Sequence, residues 1–365
     1  YAVCQLPWTY YYGWIKNCNT VLSLGGENPD EKFKAGEGIA YAMRAMFYMD
    51  LARMYAPETY GKNKEALTVP LITEKGTEDM YNNPRLTNEK MFEFILSDLD
   101  KAEEYLAGYK RENKYTPDLS VVYGLKARAY LTMEDWANAE KYAKLAQQGY
   151  TEMTGEEYTS KTTGFNTANG SWMFATHFKS DDPNLRLNDG DTSWASQMII
   201  EIGGSKGDCG YAANYGYPLV VDRHLYETIP ATDFRKNCFV DFNIDNLTTK
   251  AEKLEALAKY SNEPSYILKA GAAAATYGGK VGGLSVKFRP ANGACDQPVA
   301  TAGAVDVPLM RVEEMKLIEI EAAGMQNESK GIEMLTEFAK KRDPQYEYGK
   351  HNEAYGNTIC LIVLT

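Results

Sequence analysis

The sequence predicts a mainly α-helical protein, a tetratricopeptide-like helical-repeat scaffold carrying a large loop-rich insertion with short strands. Three observations predict it. Small and aromatic residues alternate at repeat spacing in YGLKARAYLTMEDWANAEKYAKLA, residues 123–146. Helical periodicity is strong before Tyr150 and again after Pro308. Between them, to about Val305, the chain turns to Gly, Asn, Asp, Thr and aromatics, the texture of functional loops carried on a scaffold.

In chain order, residues 8–24 place Trp14, Ile15, Cys18, Val21 and Leu22 on one side of a helix, and GGENPD breaks it. A long helix is expected over 31–55, packed through Ala42, Ala45, Met46, Met49 and Ala52 and ended by Pro57 and Gly61. LTVPLI reads as a short strand. Thr87 is a candidate N-cap for a helix whose stripe is Met91, Ile95, Leu99, Ala102 and Leu106. Thr116 and Pro117 mark the next start. WMFATHF and LSVKF read as strands, and AEKLEALAKY as a helix turned to solvent. Helices are then expected from Pro308 to Gly324 and over 328–342.

The alanines explain the scaffold. Tyr123, Ala127, Tyr130, Trp136, Ala139, Ala143 and Ala146 fall at the offsets of a tetratricopeptide repeat. Two antiparallel helices approach closely only where the crossing residues are small, and aromatics one turn away fill the adjoining groove. The alternative is an ordinary helical hairpin with alanines chosen for propensity. The expected organisation is one domain over 1–365, with 1–150 and 306–342 as scaffold and 151–305 as a ligand-binding insertion.

Charge and composition exclude several classes. A net charge of −11 argues against nucleic acid and against docking on anionic lipid by a basic face. No apolar run approaches the ~20 residues of a membrane span. Six scattered cysteines lack a C-x-x-C pair, so they read as free thiols. His177, His224 and His351 are isolated, and no nucleophile elbow, P-loop or dinucleotide fingerprint occurs, so neither metal, cofactor nor catalysis is expected. The pairs Glu103–Glu104, Glu156–Glu157 and Glu313–Glu314 are explained by helix faces rather than by glycosidase chemistry. The segment 181–191, DDPNLRLNDGD, lacks EF-hand spacing and reads as a polar turn.

Aromatics are the informative surplus, with 27 Tyr against 12 Phe. Most tyrosines fit as wedges between helices. Those in WTYYYGW, DTSW and GYAANYGY sit beside Asn, Asp and Gly, where flat rings meet a sugar's C–H face and polar neighbours meet its hydroxyls. The candidate ligand-binding residues are therefore Trp8 and Tyr10, expected just before the first helix, with Trp194, Tyr211 and Tyr215 in the irregular region. The loops at 77–83 and 277–283 come next. A peptide would fit the same surfaces, and a repeat scaffold for a protein partner or a carboxylate-dependent hydrolase are the rival readings.

GEGIAYAMRAMFYMDLARMY, with Glu37, Arg44, Ala45, Tyr48, Leu51 and Tyr55, resembles the first signature helix of the SusD/RagB family. VPLI, the pair over 115–143, GSWMFATHF, LYETIPATDFRK with its Asp and Arg spaced by one, and VPLMRVEEMKLIEIEAAG follow in the family's order. In the last segment Pro308, Arg311, Glu314, Leu317, Glu319 and Glu321 match. The family's lipid-bearing Cys and first helix have no counterpart before Tyr1, and its acidic, aromatic closing segment is not recognisable in GNTICLIVLT. Both termini therefore read as incomplete, and Cys4 is not taken for the lipidation site. The resemblance implies a non-catalytic lipoprotein on the outer face of the outer membrane, held by an N-terminal lipid anchor absent from this sequence. It further implies capture of an oligosaccharide or a peptide, and a lid function over a SusC-like TonB-dependent transporter barrel.

Overall fold

Small residues decide where the helices cross. Ala127, Ala129, Ala139, Ala143 and Ala146 are fully buried, and Tyr130 and Tyr142 stack beside them with centroids 5.5 Å apart. These residues belong to helices α4 (Leu119–Thr132) and α5 (Trp136–Ala146). They follow α1 (Ala2–Gly25), α2 (Glu31–Tyr55) and α3 (Asn88–Tyr105) and precede α6 (Val312–Gln326) and α7 (Glu328–Lys340). The computed structural model describes residues 2–25, 29–76, 82–186, 193–202, 218–273 and 280–350.

Each long helix packs on the next in chain order, and α5 packs directly on α6 although the chain between them runs through the insertion. That order is compatible with a tetratricopeptide-like stack. At the α6–α7 crossing the backbones nearly touch, since a Cβ on Gly331 would lie 2.4 Å from the Gly324 Cα. Side-chain caps start the helices: Asp30, Thr87, Asp118, Asp135 and Asn327 accept from the backbone N–H of Phe33, Lys90, Val121, Asn138 and Lys330.

Strands β1 (Leu67–Pro70) and β2 (Arg85–Thr87) pair antiparallel, as do β3 (Trp172–Thr176) and β4 (Val307–Arg311). β4 corrects the helix expected from Pro308. Pro308 pairs with Ala175 and Arg311 with Trp172, and the helix begins only at Val312, where the Val312 N–H reaches the Ser171 carbonyl. Likewise α4 begins after Asp118 rather than at Pro117, because the aspartate is the side chain that caps. LSVKF forms only isolated bridges, from Leu284 to Val220 and from Ser285 to Phe239, since its neighbours are loop segments rather than strands.

Arg44 organises the N-terminal half. Almost fully buried on α2, it donates to both oxygens of Asp98 on α3, at 2.7 and 2.8 Å, to Asn19 on α1 and to Glu74 beyond β1. The main apolar core runs along the stack and takes in Met173, Phe174 and Met310 at the strand pair. Smaller clusters lie within the insertion, around Val240 and Ile267, Ile199 and Val299, and Phe165 and Cys238.

Two consequences are measurable. Ala139→Leu should overpack the α4–α5–α6 crossing and cost about 1–3 kcal/mol in denaturant unfolding; a variant as stable as the parent would show that the crossing lies elsewhere. Glu140 ties α5 to α7, accepting from Lys144 at 2.6 Å and Lys330 at 2.7 Å. These lysines lower its pKa from 4.5 to about 2. The ionised bridge therefore stabilises above pH 4.5 and is lost as pH falls towards 2. Both lysines are about half exposed, so the effect is small. The stability gap between parent and Glu140→Gln, followed from pH 6 to pH 2, should shrink by at most about 1 kcal/mol; a gap constant with pH would refute the bridge.

Candidate functional site

A cleft of about 830 Å³ opens between the stack and the insertion. Its helical side follows from α1 and α2. Tyr11 and Trp14, three positions apart, share a face of α1 and meet Phe47 of α2, with centroids 5.7 and 5.3 Å away. Trp14 stays 43% exposed, so its ring remains open to a ligand. The opposite side comes from the insertion, where Trp194 opens a short helix (Trp194–Met198) and lies edge-on to Phe288, 4.8 Å between centroids. Phe165 and β4 complete the lining.

Polar groups in the cleft are held in fixed positions. Arg128 of α4 forks onto Glu314 of α6, with Nε and Nη2 donating at 2.5 and 2.6 Å, and its Nη2 also reaches the Leu309 carbonyl. Tyr11 donates its hydroxyl to Asp50 at 3.1 Å. Burial, and then the Asp50 charge, push the Tyr11 pKa up to about 12, so the phenol stays a donor at neutral pH. The insertion side carries cations: Lys287 and Arg311 lie 4.1 and 4.2 Å from the Phe165 centroid. Burial, followed by the charge of Arg311, lowers the Lys287 pKa to about 8. Aromatic rings on both sides with fixed donors and acceptors between them suit a flat, hydroxyl-rich molecule.

The expected site residues fall in three places. Trp194 lines the cleft. Trp8 and Tyr10 do not precede the first helix but lie inside α1, which begins at Ala2. The helix turns them apart. Tyr10 is exposed and stacks on Trp14, centroids 6.1 Å apart, but does not itself line the cleft. Trp8 packs against Tyr12 and Tyr55. Tyr211 and Tyr215 lie outside the described residues, as do most of the 77–83 loop and part of the 277–283 loop. Tyr11, Trp14, Phe165 and Phe288 were missed. The first two stood in WTYYYGW, and extending the helical period to Ala2 would have selected them. Nothing local marks the two phenylalanines, which reach the cleft through tertiary folding.

One other expectation changes. Glu313 and Glu314 are not a solvated pair: Glu313 is buried and accepts from the Met153 N–H at 2.6 Å, and Glu314 holds Arg128. Asp233 and Arg235, spaced by one, bind each other at 2.6 Å. Among the described residues no three His, Cys, Asp or Glu side chains form a metal-binding group. Cys18, Cys238 and Cys295 are buried free thiols, while Cys4 is exposed.

A helical stack carrying an aromatic cleft beneath irregular loops is the architecture of a ligand-binding protein. Residues 2–131 match the SusD-like family model described as starch-binding associating with outer membrane. The fold is similar to a SusD-like carbohydrate binding protein from Bacteroides vulgatus, with TM-score 0.68 and 23% identity over 98% of this chain and 66% of that one. It is also similar to a SusD superfamily protein from Bacteroides thetaiotaomicron, with TM-score 0.62 and 19% identity over 93% of this chain and 67% of the other. A laminarin binding SusD-like protein gives TM-score 0.61 and 15% identity, covering 92% of this chain and 70% of its own. None of the curated proteins matches. The family model thus covers the first third of the chain, and the fold over nearly its whole length is that of solved SusD-like proteins, of which it spans about two thirds of the length.

Proposed function

We propose that this protein is a non-catalytic carbohydrate-binding protein of the outer membrane's outer face, capturing an oligosaccharide in the 830 Å³ cleft and passing it to a TonB-dependent barrel that it covers as a lid. On this reading 1–150 and 306–342 are scaffold and 151–305 is the ligand-binding insertion. One observation carries it: Tyr11 and Trp14 from the stack and Trp194 from the insertion line the same cleft. The family description and the carbohydrate-binding and laminarin-binding neighbours support a glycan. No helix among the described residues is long and apolar enough to cross a membrane, which agrees with attachment at the surface.

The cleft's carboxylates favour binding over hydrolysis. A glycosidase needs one carboxyl as proton donor and a second as base or nucleophile. Glu314 accepts two hydrogen bonds from Arg128, and Asp50 accepts from Tyr11 and Arg53, so both serve as acceptors already engaged.

Two measurements test the proposal. By calorimetry with maltoheptaose and laminariheptaose, Trp14→Ala and Trp194→Ala should each weaken binding by about 2- to 12-fold, the equivalent of about 0.5–1.5 kcal/mol per stacked ring. Unchanged affinity in both folded variants would move the site away from the cleft, and shortened glycan in the mixture would overturn the non-catalytic reading. The native protein, extracted gently from membranes, should co-purify with a large β-barrel; recovery as a lone species would count against the lid.

A further inference from the structure

The outer face of α1 carries a file of apolar side chains that helix packing does not explain. Leu6, Tyr10 and Trp14 stand about one turn apart and are 51%, 55% and 43% exposed. Elsewhere among the described residues, exposed large apolar side chains occur singly or as the neighbours Leu219 and Val220. Single exposed apolar residues are ordinary, whereas an ordered run marks a contact surface. The file extends for about 12 Å at the rise of an α-helix. It meets the cleft at Trp14, which belongs to the cleft lining.

Two details set these positions apart from the tyrosines that wedge helices together. Tyr11 and Tyr12 donate their hydroxyls to Asp50 and to the Pro70 carbonyl, and their rings pack on Phe47 and Tyr48 of α2. Among the described residues the Tyr10 hydroxyl has no partner, and the Tyr10 ring meets only that of Trp14, tilted by 27°. Gly13 is the second detail. It is exposed inside α1, and a Cβ there would meet nothing within 4 Å, so no close approach demands a glycine. A glycine inside a helix also weakens it relative to alanine. Because a helical side chain leans over the turn N-terminal to it, any side chain at position 13 would lie towards Thr9 and Tyr10. Glycine leaves the outer side of the Tyr10 ring clear.

We propose that Tyr10 and Gly13 form an outer subsite, where a linear oligosaccharide leaving the cleft past Trp14 continues along α1, over the Tyr10 ring and towards Leu6. The inference rests on glycan capture in the cleft and adds to it a preference for long chains. A linear glycan suits the file better than a protein partner does. The file is one side chain wide and runs between exposed Gln5, Thr9 and Asn17, whereas the centre of a protein interface needs a broader apolar patch. The amides of Gln5 and Asn17 offer donors and acceptors to sugar hydroxyls, while the tyrosine ring offers its face to the C–H side.

The test uses the full chain and calorimetry with the trioses and heptaoses of the maltose and laminarin series. The parent should bind the heptaose of one series at least about fivefold tighter than its triose. A longer chain also gains from its greater number of binding registers, so the decisive quantity is the change in that ratio. Tyr10→Ala and Gly13→Gln, each checked for an unchanged circular dichroism spectrum, should cut the ratio at least about threefold and leave triose affinity unchanged. Tyr10→Phe, which keeps the ring, should keep the ratio. A ratio unchanged in both Tyr10→Ala and Gly13→Gln overturns the outer subsite and leaves glycan capture standing; binding of no glycan by the parent overturns both. A loss shared equally by both lengths would show that Tyr10 only supports Trp14, and would overturn the subsite. Loss of the co-purifying barrel in Tyr10→Ala, with the ratio intact, would assign the file to a protein partner instead.

Discussion

The whole architecture depends on the chain's return to its starting point after the insertion. Between Ala146 and Val312 the backbone leaves the stack and comes back to lay α6 on α5. Closing so long a loop carries an entropic cost that grows only slowly with length, so a modest set of contacts at its base suffices. Those contacts are layered. The β3–β4 ladder brings the two ends of the insertion side by side. Gln147, the C-cap of α5, then donates to Glu319 and accepts from Lys316, both on α6, at 2.7 and 2.6 Å. Glu313 accepts the Met153 N–H just past α5, and Arg128 forks onto Glu314. The alanines of α5 let the backbones come close enough for all of these to form.

The same contacts shape the cleft. Glu314, Arg128 and Arg311 close the seam and also line the cleft, so on the proposed reading their side chains are fixed before any ligand arrives. A preorganised polar group loses little freedom on binding, which matters for a site whose individual stacking and hydrogen-bond gains are small. Seam and cleft are therefore one arrangement, in which the contacts that lay α6 on the stack also fix the cleft's polar lining.

Much of the scaffold was legible in the sequence because its signals are local. Met91, Ile95, Leu99 and Ala102 form the stripe of α3 and are all fully buried, and Thr87 caps it as its residue type suggests. Ala139, Ala143 and Ala146 reveal the crossing. The failures share one cause. VPLMR looks helical from its downstream period, yet it pairs with WMFAT from more than a hundred residues earlier, and tertiary pairing overrides the local pattern. Trp194 could be singled out as an aromatic in a polar loop, but its companions Phe165, Lys287 and Phe288 meet only in three dimensions. In α1 the period was legible and only the start was misplaced, which was enough to choose Trp8 over Trp14.

The tyrosine surplus shows why composition alone misplaces a site. Tyr12 donates to the Pro70 carbonyl, Tyr48 bonds the backbone of Ile72 as both donor and acceptor, and Tyr115 reaches Asp306. Each ring fills space between elements while its hydroxyl satisfies a group that a phenylalanine would leave unpaired. Much of the excess over phenylalanine thus serves the stack, whose short loops and strand ends present carbonyls to its buried faces. Among the described residues, the rings that line the cleft are of another kind: Trp14, Trp194, Phe165 and Phe288 have no hydroxyl, and only Tyr11 keeps one, tied to Asp50. A ring that must offer its face to a ligand gains nothing from a second polar group competing for the ligand's hydroxyls. On the proposed reading, polar recognition falls instead to the charged side chains fixed by the seam.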